Sequence, residues 1–423
     1  MKFPIKTIKR NNQIVALPKN TSEVSKLVKF SKKIKYHILP IGGETNRVDG
    51  TKPQFEKTIL IDFKKMNRIE EVDTNNFIIT AQGGTLLRTI QKSANSKKLL
   101  FPVNIAPNDK CTIGGNISTN VGGLQTLRYG NIEDHVNGLE VVLSDGTILN
   151  FLNKLKKDNF GPKLWKLFCG SEGVFGIITR ASLKLIPKKD YKSTYLIQIN
   201  SLNKSIRLLK YLRNRYFDNL TSFEIIFPLP SSLLFNENKN NYNYNLIIEI
   251  QSNDNKNYKN ELKKYFSSMN LVINKREDNK TKSWIWKKRE ILVYNQIKYN
   301  FTEKFDISLP LDKWSIFINK INTFTKNNKE FTPYFFGHLG DGNLHCNFKV
   351  NPFTKKNCSK LSKFIYELTI KNQGSVAAEH GLGLKKNNLL KKYKPNKNYI
   401  FLKKLKKHLD PDFKLGKNKL FKA

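Results

Sequence analysis

Short apolar runs alternate with helical patterns through the first half of the chain. Runs rich in β-branched residues predict strands at Ile14–Leu17, Lys35–Pro40 and Thr58–Asp62. The apolar spacing within Val24–Ile34 predicts a helix between the first two strands. Ser144-Asp145-Gly146 separates two further apolar runs, which is typical of a hairpin turn. The pattern predicts an α+β or α/β region with many glycine turns.

The pattern changes near residue 190, after which glycines become sparse. Strands are predicted at Thr194–Ile199 and Asn245–Gln251, and they alternate with helices predicted at Lys204–Tyr216 and Asn257–Ser268. This alternation predicts a second domain with an antiparallel sheet and covering helices. The tail contains a basic amphipathic helix, predicted at Tyr399–Leu409.

The net charge of the chain suggests nucleic-acid binding, but the low Arg content and the even spread of Lys argue against it. The sequence has 75 Lys and Arg against 34 Asp and Glu, a net charge of +41, as in many nucleic-acid-binding proteins. Arg, the residue best suited to bidentate base and phosphate recognition, accounts for 11 of those 75 residues. The Lys residues are also spread along the whole chain. We interpret the charge as a Lys-rich solvated surface, with nucleic-acid binding as the remote alternative.

Other features limit the compartment in which the protein is expected to work. No stretch approaches the ~18 uninterrupted apolar residues of a membrane-spanning helix. Residues 1–13 lack the apolar centre of a secretory signal. Four cysteines form no Cys-x-x-Cys pair and are typical of reduced thiols. We therefore expect a cytoplasmic protein, and its length predicts two or three domains.

Three glycine clusters stand out, at Pro40–Asn46, Thr112–Gly123 and Cys169–Thr179. Glycine allows the backbone to turn sharply and to present N–H groups to an anion. The first cluster matches neither the Rossmann nor the P-loop spacing. A single glycine pair would indicate a tight turn, whereas three clusters favour a surface that holds a flat ligand or a pyrophosphate.

Two histidine motifs in the second half carry candidate metal chemistry. Asp341-Gly342 lies between apolar runs and predicts a two-residue hairpin turn. Such a turn would pair Gly340 with Asn343 and would set His338 directly opposite His345. Cross-strand neighbours have Cβ atoms ~5 Å apart, so the two imidazoles would be close enough to share one metal ion.

The face that the two histidines share also determines their neighbours. Alternation along the strand places Asn347 on that face and Cys346 on the other. Glu379 is the natural third ligand, since two His and a carboxylate form a common divalent-metal set. Its neighbour His380 is a candidate proton-transfer group. The alternative is a structural pair of stacked histidines, with Glu379 an ordinary surface acid.

In combination, these motifs resemble one family over nearly the whole chain. The family is that of the FAD-linked 2-hydroxy acid dehydrogenases of the vanillyl-alcohol-oxidase fold. The segments that resemble its motifs are the three glycine clusters together with Leu139–Gly146, Gly337–Asn347 and Gly374–Gly383. That family includes D-lactate, D-2-hydroxyglutarate and glycolate dehydrogenases. The resemblance implies an α+β fold with a PCMH-type FAD-binding domain of two subdomains and a substrate-cap domain built on an antiparallel sheet.

The domain boundaries that follow are 1–190 for the FAD-binding domain and 191–385 for the substrate-cap domain with its metal site. Residues 386–423 form a C-terminal segment that is expected to pack back on the FAD-binding domain. The resemblance implies a divalent metal, Zn or Mn, held by His338, His345 and Glu379. No His lies within the glycine clusters, so we expect FAD to be bound non-covalently.

The resemblance also assigns candidate catalytic and cofactor-binding residues. His380 is the expected base, Arg289 and Lys304 are the expected contacts of the substrate carboxylate, and Asn347 lies on the histidine face. The expected FAD contacts are Pro40, Gly42, Gly43, Thr45, Asn46, Thr112, Gly114, Gly115, Ser118, Asn120, Gly122, Gly123, Gly170, Glu172, Gly173, Gly176 and Ile177.

The activity implied by the resemblance is oxidation of a small D-2-hydroxy acid, D-lactate or glycolate, to the 2-oxo acid. Hydride would pass to flavin N5 with help from the metal and a histidine. The alternatives are a D-2-hydroxyglutarate dehydrogenase and a flavoprotein subunit of a multi-subunit glycolate oxidase. The expected partners are the hydroxy acid and an electron acceptor such as an electron-transfer flavoprotein or a quinone. We also expect a homodimer, peripheral association with the inner face of the membrane, and no specific nucleic acid.

The sequence departs from the family pattern at three places. Glu44 and Asn46 stand where relatives carry Asn and Gly, and a carboxylate at 44 would repel a pyrophosphate. The tail over 410–419 lacks the family's Asn-Pro-Gly-Lys-like ending. Val293 replaces a hydroxyl residue of the dicarboxylate-specific relatives, which disfavours 2-hydroxyglutarate.

Overall fold

The computed structural model describes residues 3–235, 243–254, 257–269, 271–273 and 278–421. The strands formed by these residues are β1 (Thr7–Arg10), β2 (Gln13–Ala16), β3 (His37–Ile41), β4 (Thr58–Asp62), β5 (Ile69–Asp73), β6 (Ile78–Gln82), β7 (Leu99–Leu100), β8 (Val136–Val142), β9 (Ile148–Asn150), β10 (Ile177–Lys184), β11 (Ile186–Pro187), β12 (Tyr191–Ile199), β13 (Leu220–Ile226), β14 (Tyr244–Ser252), β15 (Val272–Ile273), β16 (Glu303–Ser308), β17 (Phe331–His338) and β18 (Asn343–Val350).

The α-helices of the same residues are α1 (Thr21–Lys33), α2 (Leu87–Ser96), α3 (Ile113–Thr119), α4 (Thr126–Tyr129), α5 (Ile132–His135), α6 (Leu202–Tyr216), α7 (Pro228–Phe235), α8 (Asn257–Ser268), α9 (Asn279–Lys298), α10 (Trp314–Asn327), α11 (Lys355–Lys371), α12 (Asn387–Tyr393) and α13 (Asn396–Leu409). Short 3-10 helices lie at Phe63–Lys65, Leu164–Phe168 and Leu311–Lys313.

These elements belong to two compact units. The first unit comprises Met1–Gly123, Gly130–Lys188 and Glu379–Ala423, and the second comprises Leu124–Tyr129 and Lys189–Ala378. The chain therefore enters the second unit briefly at Leu124 before the first unit is complete. It returns to the first unit at Glu379.

The first unit contains a small mixed sheet with the strand order β1-β2-β4-β3. Strands β2 and β3 each pair in parallel with β4. Helix α1 begins after Asn20, whose side chain accepts a hydrogen bond from a first-turn N–H, and its apolar face is buried in the core beside this sheet. Leu415 forms a parallel bridge with Ile38 of β3, so the C-terminal tail extends this sheet.

A second sheet of the first unit is antiparallel, with the order β5-β6-β10-β8-β9. Its core contains residues of β6, β8 and β10 together with α2 and α3. The hairpin predicted around Ser144-Asp145-Gly146 joins β8 to β9. Gly146 has φ +87°, a left-handed conformation that glycine adopts without strain, and this explains why the turn uses glycine.

The second unit is built on one antiparallel sheet. In the described residues its strand order is β15-β12-β14-β13-β17-β18-β16. One face of the sheet is apolar, and its side chains pack with residues of α6, α8, α10 and α11 in the largest hydrophobic cluster of the unit. The α+β class and the antiparallel sheet predicted for this part of the chain are confirmed.

The opposite face of this sheet is mixed in character. Apolar side chains of β12, β13, β14 and β17 pack there with α7 and α9. On β13, β14, β16, β17 and β18 this face also carries buried polar and charged residues, which alternate with apolar residues that point into the main core. They are Glu224, Glu249, Asp306, His338 and Asn347. Buried charges need partners, so this polar face is where a site is expected.

None of the described helices combines the length and the apolar character needed to cross a lipid bilayer. The four cysteines are free thiols, and Cys346 is fully buried in the main core of the second unit. Its position on the apolar face agrees with the alternation predicted for β18.

Candidate active site

The hairpin that carries His338 and His345 has a longer turn than the sequence predicted. In the structure His338 pairs with Asn343, and His345 pairs with Phe336. The predicted register, with His338 opposite His345, is therefore wrong by two residues. Leu339 is fully buried in the core and the Gly340 N–H bonds to a backbone oxygen of β13, so both residues belong to a four-residue turn and not to the strands.

A shift of two residues leaves both histidines on the same face of the sheet. His338 and His345 are diagonal neighbours, with ring centroids 5.3 Å apart and ring planes at 77°. One ring nitrogen of each lies within 4.8 Å of the other, a separation that permits a shared metal ion. His338 is 7% exposed. The structure therefore brings the two predicted ligands together by a different register.

The buried carboxylate of Glu224 connects the histidine pair to Arg289. Glu224 lies in β13, next to β17, and is 1% exposed. Its Oε1 lies 2.6 Å from His338 Nδ1, and its Oε2 accepts a hydrogen bond of 2.8 Å from Arg289 Nε. Burial alone would raise the pKa of this carboxyl, but the neighbouring His338 and Arg289 outweigh burial and hold the pKa below its usual value.

The predicted carboxylate contact Arg289 lies on α9 and is almost fully buried. Its guanidinium lies 4.7 Å above the ring centroid of Phe336, the residue opposite His345, in a cation–π contact. The other predicted contact, Lys304, is exposed and is directly opposite Asn347 in the pairing of β16 with β18. Arg289, Lys304 and Asn347 thus belong to the unit that carries His338.

A second carboxylate, Asp306, lies beside His345. The two residues are paired across β16 and β18, and Asp306 Oδ1 is 3.7 Å from His345 Nδ1. The same oxygen accepts a hydrogen bond of 2.9 Å from the Asn343 side chain. Our sequence reasoning missed Glu224 and Asp306. The signal that could have found them was an acid between two apolar residues of a strand, in Phe223-Glu224-Ile225 and Phe305-Asp306-Ile307.

Glu379 and His380 are the first residues of the last segment of the first unit. They follow Ala378, the last residue of the second unit, whose N–H donates to the backbone oxygen of Asp306 at 3.3 Å. A carboxylate oxygen of Glu379 and a ring nitrogen of His380 lie within 4.8 Å of one another. Both residues are partly exposed, which the predicted roles of metal ligand and base require.

The backbone after His380 is held by Glu172 from the third glycine cluster. The Glu172 carboxylate accepts hydrogen bonds from the N–H groups of Leu382 at 2.7 Å and Gly383 at 2.9 Å. Gly381 has φ +69°, and a Cβ on it would lie 2.6 Å from Glu172 Oε1. This segment therefore requires glycine next to His380.

The three glycine clusters meet in the first unit. A Cβ on Gly42 would lie 2.2 Å from Thr112 Oγ1, which brings the first cluster against the second. The N–H groups of Gly170 and Glu172 donate to the backbone oxygens of Ile117 and Ser118, which brings the third cluster against the second. The predicted residues that lie in these adjoining segments are Pro40, Gly42, Gly43, Thr45, Asn46, Thr112, Gly114, Gly115, Ser118, Asn120, Gly122, Gly123, Gly170, Glu172 and Gly173.

Gly176 and Ile177 have a different setting. They lie where β10 begins, and a Cβ on Gly176 would meet side chains of Val141 and Phe168. Ile177 is 1% exposed and belongs to the core beside the mixed sheet. Their packing gives both residues a role in the interior of the unit.

The departures in the first loop also have structural explanations. The Glu44 carboxylate forms an ion pair of 2.6 Å with Arg10, so its charge is balanced. The side-chain oxygen of Asn46 accepts hydrogen bonds from the N–H groups of Val48 and Gly50, which folds the loop on itself.

Comparison with known proteins places the chain in a family. Residues 12–152 match the FAD binding domain family, and residues 218–420 match the C-terminal domain of FAD linked oxidases. The rice protein (Oryza sativa subsp. indica) named "Probable D-2-hydroxyglutarate dehydrogenase, mitochondrial" is 32% identical over 96% of this chain and 74% of its own. The chain belongs to the FAD-linked oxidase family that includes this dehydrogenase. The D-2-hydroxyglutarate dehydrogenase of Rattus norvegicus is 31% identical over 96% of this chain and 78% of its own.

A solved structure agrees on the fold of this FAD-linked oxidoreductase. The structure of p-cresol methylhydroxylase with substrate bound is similar with a TM-score of 0.72, covering 99% of this chain and 91% of that one. At 14% identity this similarity concerns the fold alone. The FAD-linked family, the PCMH-type fold and the oxidoreductase class predicted from the motifs are confirmed.

The glycine surface of this FAD-linked oxidoreductase fits a flavin cofactor. Glycines bring the backbone of adjoining segments together. At Gly43, an added Cβ would lie only 1.9 Å from the backbone oxygen of Lys110. The hydroxyl of Thr112 is buried beside Gly42 and has no hydrogen-bond partner within the described residues. Buried polar atoms normally have a hydrogen-bond partner, so a hydroxyl without a partner in the protein is available to bind a polar ligand.

A buried lysine of the C-terminal tail is hydrogen-bonded to the backbone of Glu172 in the first unit. Lys419 is 5% exposed, and its Nζ donates a hydrogen bond of 3.1 Å to the Glu172 backbone oxygen. Burial lowers the pKa of the Lys419 ammonium to about 8. The C-terminal tail therefore supports the segment that holds the residues after His380, although it lacks the ending typical of the family.

Proposed function

We propose that the protein oxidises a small D-2-hydroxy acid to the 2-oxo acid with FAD and a divalent metal ion. The observation that carries this proposal is the histidine pair His338 and His345 on one face of the sheet, with Arg289 of α9 connected to it through a buried carboxylate. Ring nitrogens of the two imidazoles lie close enough together to bind one ion. The buried guanidinium of Arg289 is hydrogen-bonded to Glu224, which also contacts His338. Metal ligands next to a carboxylate-binding cation suit a substrate with adjacent hydroxyl and carboxylate groups.

In this proposal His338, His345 and Glu379 hold the metal ion. The set of two nitrogens and one oxygen suits Zn or Mn and leaves positions open for substrate. Glu379 directly follows Ala378, whose N–H is hydrogen-bonded to Asp306 in the histidine-bearing unit. A bound ion would lower the pKa of the substrate hydroxyl.

Residues of the chain would bind the substrate and move its proton. Arg289 and Lys304 would bind the carboxylate, the guanidinium through its Nη groups because Nε is engaged by Glu224. Asn347, two residues from His345 on the same strand face, would donate to a substrate oxygen. His380 would accept the hydroxyl proton, since a histidine titrates in the neutral range. FAD supplies the acceptor for the hydride that leaves the substrate α-carbon.

We assign the flavin contacts to the adjoining glycine segments, with Gly176 and Ile177 contributing through their backbone. No histidine lies in these segments, so the cofactor is proposed to be non-covalent. The reduced flavin then needs an electron acceptor, for which an electron-transfer flavoprotein or a quinone is proposed. We also propose a homodimer, peripheral contact with the inner face of a membrane and a cytoplasmic location. Cell fractionation with a tagged chain tests the location against the mitochondrial compartment named for the relatives.

A specific observation separates the two substrate candidates. Val293 lies one helical turn beyond Arg289 on α9 and packs partly buried in the apolar cluster of that face. An apolar neighbour favours the short side chains of D-lactate and glycolate. The relatives' names favour D-2-hydroxyglutarate instead, which is therefore the second candidate.

The experiment is purification of the flavin-loaded protein and a screen of D- and L-2-hydroxy acids with an artificial electron acceptor, with and without a chelator. We expect flavin absorbance, turnover of a D-2-hydroxy acid, loss of turnover with chelator, and recovery with Mn²⁺ or Zn²⁺. Preference for D-2-hydroxyglutarate would select the second candidate. A flavin-loaded chain that turns over none of these acids would favour the subunit alternative, and a colourless chain would refute the proposal.

A further inference from the structure

The carboxylate of Glu224 has no role in the function proposed above, yet it contacts two parts of the site. Glu224 is 1% exposed and lies in β13, the central strand of the seven described strands of the sheet. One oxygen is 2.6 Å from His338 Nδ1 and the other is 2.8 Å from Arg289 Nε. A carboxylate this deeply buried is costly unless both oxygens are satisfied, and these two neighbours satisfy one oxygen each.

The contact with His338 determines which ring nitrogen faces outward. An ionised carboxylate accepts hydrogen bonds and cannot donate them. His338 Nδ1 must therefore carry the ring proton in the neutral imidazole, which leaves the lone pair on Nε2 for a metal ion. Carboxylates that accept from the far nitrogen of a ligating histidine fix both its tautomer and its orientation.

The contact with Arg289 fixes the guanidinium in the same way. Its Nε–H donates to Glu224, and its central carbon Cζ lies over the Phe336 ring, 4.7 Å from the ring centroid. These two contacts, a hydrogen bond and a cation–π contact, restrict rotation of the side chain. The two Nη groups are then the part of the fork that can bind a carboxylate.

We propose that Glu224 is a positioning residue that orients the metal ligand His338 and the substrate-binding Arg289 together. This inference rests on the proposed function, because it assigns His338 and Arg289 the roles given there. It predicts that one change at 224 weakens both metal and substrate binding, although Glu224 itself touches neither.

Replacing the Glu224 carboxylate by an amide tests this positioning role, because an amide has one hydrogen-bond acceptor and one donor group where the carboxylate has two acceptors. Both neighbours present an N–H to Glu224, and a glutamine offers one acceptor oxygen and one donor NH₂. If that oxygen accepts from Arg289, the NH₂ donates to His338 Nδ1 and forces the ring proton onto Nε2. The nitrogen needed for the metal is then blocked.

The measurement uses flavin-loaded protein stripped of metal and titrated with Mn²⁺ or Zn²⁺ in a calorimeter, followed by KM for the preferred hydroxy acid. For Glu224→Gln we expect metal affinity to fall about 10- to 100-fold, the range seen when such supporting groups are lost. We also expect KM to rise, while the flavin absorbance remains. Should glutamine prevent folding, Glu224→Asp keeps the charge but cannot span both neighbours, and the same two losses are expected.

The matched control is Glu249→Gln. Glu249 is a buried carboxylate at 1% exposure in the adjacent strand β14. Its side-chain partners include Gln125, Lys192, Thr221 and Gln251. It shares the strand setting and the burial of Glu224 but contacts neither His338 nor Arg289 among its described hydrogen bonds and ion pairs. Metal affinity and KM of this variant should match those of the wild type.

A double variant distinguishes orientation from a loss of stability. In Glu224→Gln with Arg289→Met, no donor remains on the arginine side, so the glutamine oxygen can accept from His338 Nδ1. Metal affinity should recover most of the way to the wild-type value, while KM stays high because the guanidinium is gone. A protein that was merely less stable would not recover metal affinity through a second substitution.

Two results would overturn the inference: Glu224→Gln binding metal and substrate as Glu249→Gln does, or the double variant failing to recover metal affinity. Failure of the proposed function gives a different pattern. In that case the wild-type flavoprotein itself binds neither ion nor hydroxy acid, and the inference fails with it.

Discussion

His380 is the residue on which the proposed chemistry depends most directly. We expect His380→Ala to lower kcat by about 10²- to 10⁴-fold, the contribution of a positioned general base. Flavin binding should be unchanged, because the proposed flavin contacts lie in the adjoining glycine segments and His380 lies outside them. The measurement is kcat together with the flavin absorbance of the purified variant.

His408→Ala is the control for that prediction. His408 is exposed on α13, so its removal should leave kcat and flavin content at wild-type values. Normal turnover by the His380 variant would show that the base has been assigned to the wrong residue.

Lys419 gives the first unit a pH-dependent stability. Its pKa of about 8 in the folded protein lies below the ordinary value of 10.5. Between these two pH values the unfolded chain binds the proton and the folded chain does not, so the wild type loses stability as pH falls through this window, by up to roughly 1.4 kcal/mol per pH unit. Lys419→Met removes this loss, so we expect its melting temperature to exceed that of the wild type at pH 7.

The pH dependence of the difference in melting temperature between the two proteins provides the check. The advantage of Lys419→Met should shrink as pH rises from 8 toward 10.5, where the lysine is neutral in both states. Thermal unfolding of the two proteins across this range measures it, with Lys403→Met at an exposed position of α13 as the control. A difference that is constant with pH would contradict the assignment.

At the scale of elements, the segment after His380 is the most sharply constrained. Gly381 combines φ +69° with a position where a Cβ would lie 2.6 Å from Glu172 Oε1. We expect Gly381→Ala to cost about 1–3 kcal/mol of stability, the range for strained backbone. It should also lower kcat, because displacing this segment moves the adjacent His380.

The variant Gly161→Ala separates the loss of stability from the loss of kcat. Gly161 also has a positive φ, +90°, but a Cβ added to it would meet nothing within 4 Å. Its replacement should produce backbone strain without any change in kcat. Equal kcat for the two alanine variants would show that Glu172 does not hold the His380 segment in place.

The β17–β18 hairpin shows what a local pattern can and cannot predict. Alternation correctly predicted that Cys346 faces the core and that Asn347 lies on the histidine face. The turn length was wrong because Leu339 and Gly340 interact with residues far away in sequence. Leu339 packs in the core of the unit, and Gly340 meets the Leu127 side chain and a backbone oxygen of β13. No local turn rule contains those contacts.

At the scale of the whole molecule, the net charge of +41 should affect substrate capture. A positive surface raises the local concentration of anions, and salt screens this effect over about 10 Å at 0.1 M. We expect kcat/KM for the hydroxy acid to fall as salt rises, measured from low ionic strength to about 0.5 M, where the screening length is well under 10 Å. KM for a neutral artificial acceptor should change little, and parallel changes in both would contradict substrate steering.

The sequence by itself determined the alternation of strands and helices, the class of fold and the candidate residues of the active site. Periodicity and turn composition are local properties, so the strand at Thr58–Asp62 and the helix of Asn257–Ser268 were predicted with their observed bounds. The histidine and glycine motifs are also compact in sequence, which is why they were visible without a structure.

Tertiary structure alone decided which groups support those motifs. Glu224 reaches His338 from 114 residues away, and Glu172 holds Leu382 from 210 residues away. A lone acid in an apolar strand signals that a partner exists, because a buried charge must be compensated. Its partner depends on strand order and register, which arise from packing of the whole sheet and are not encoded in any local segment.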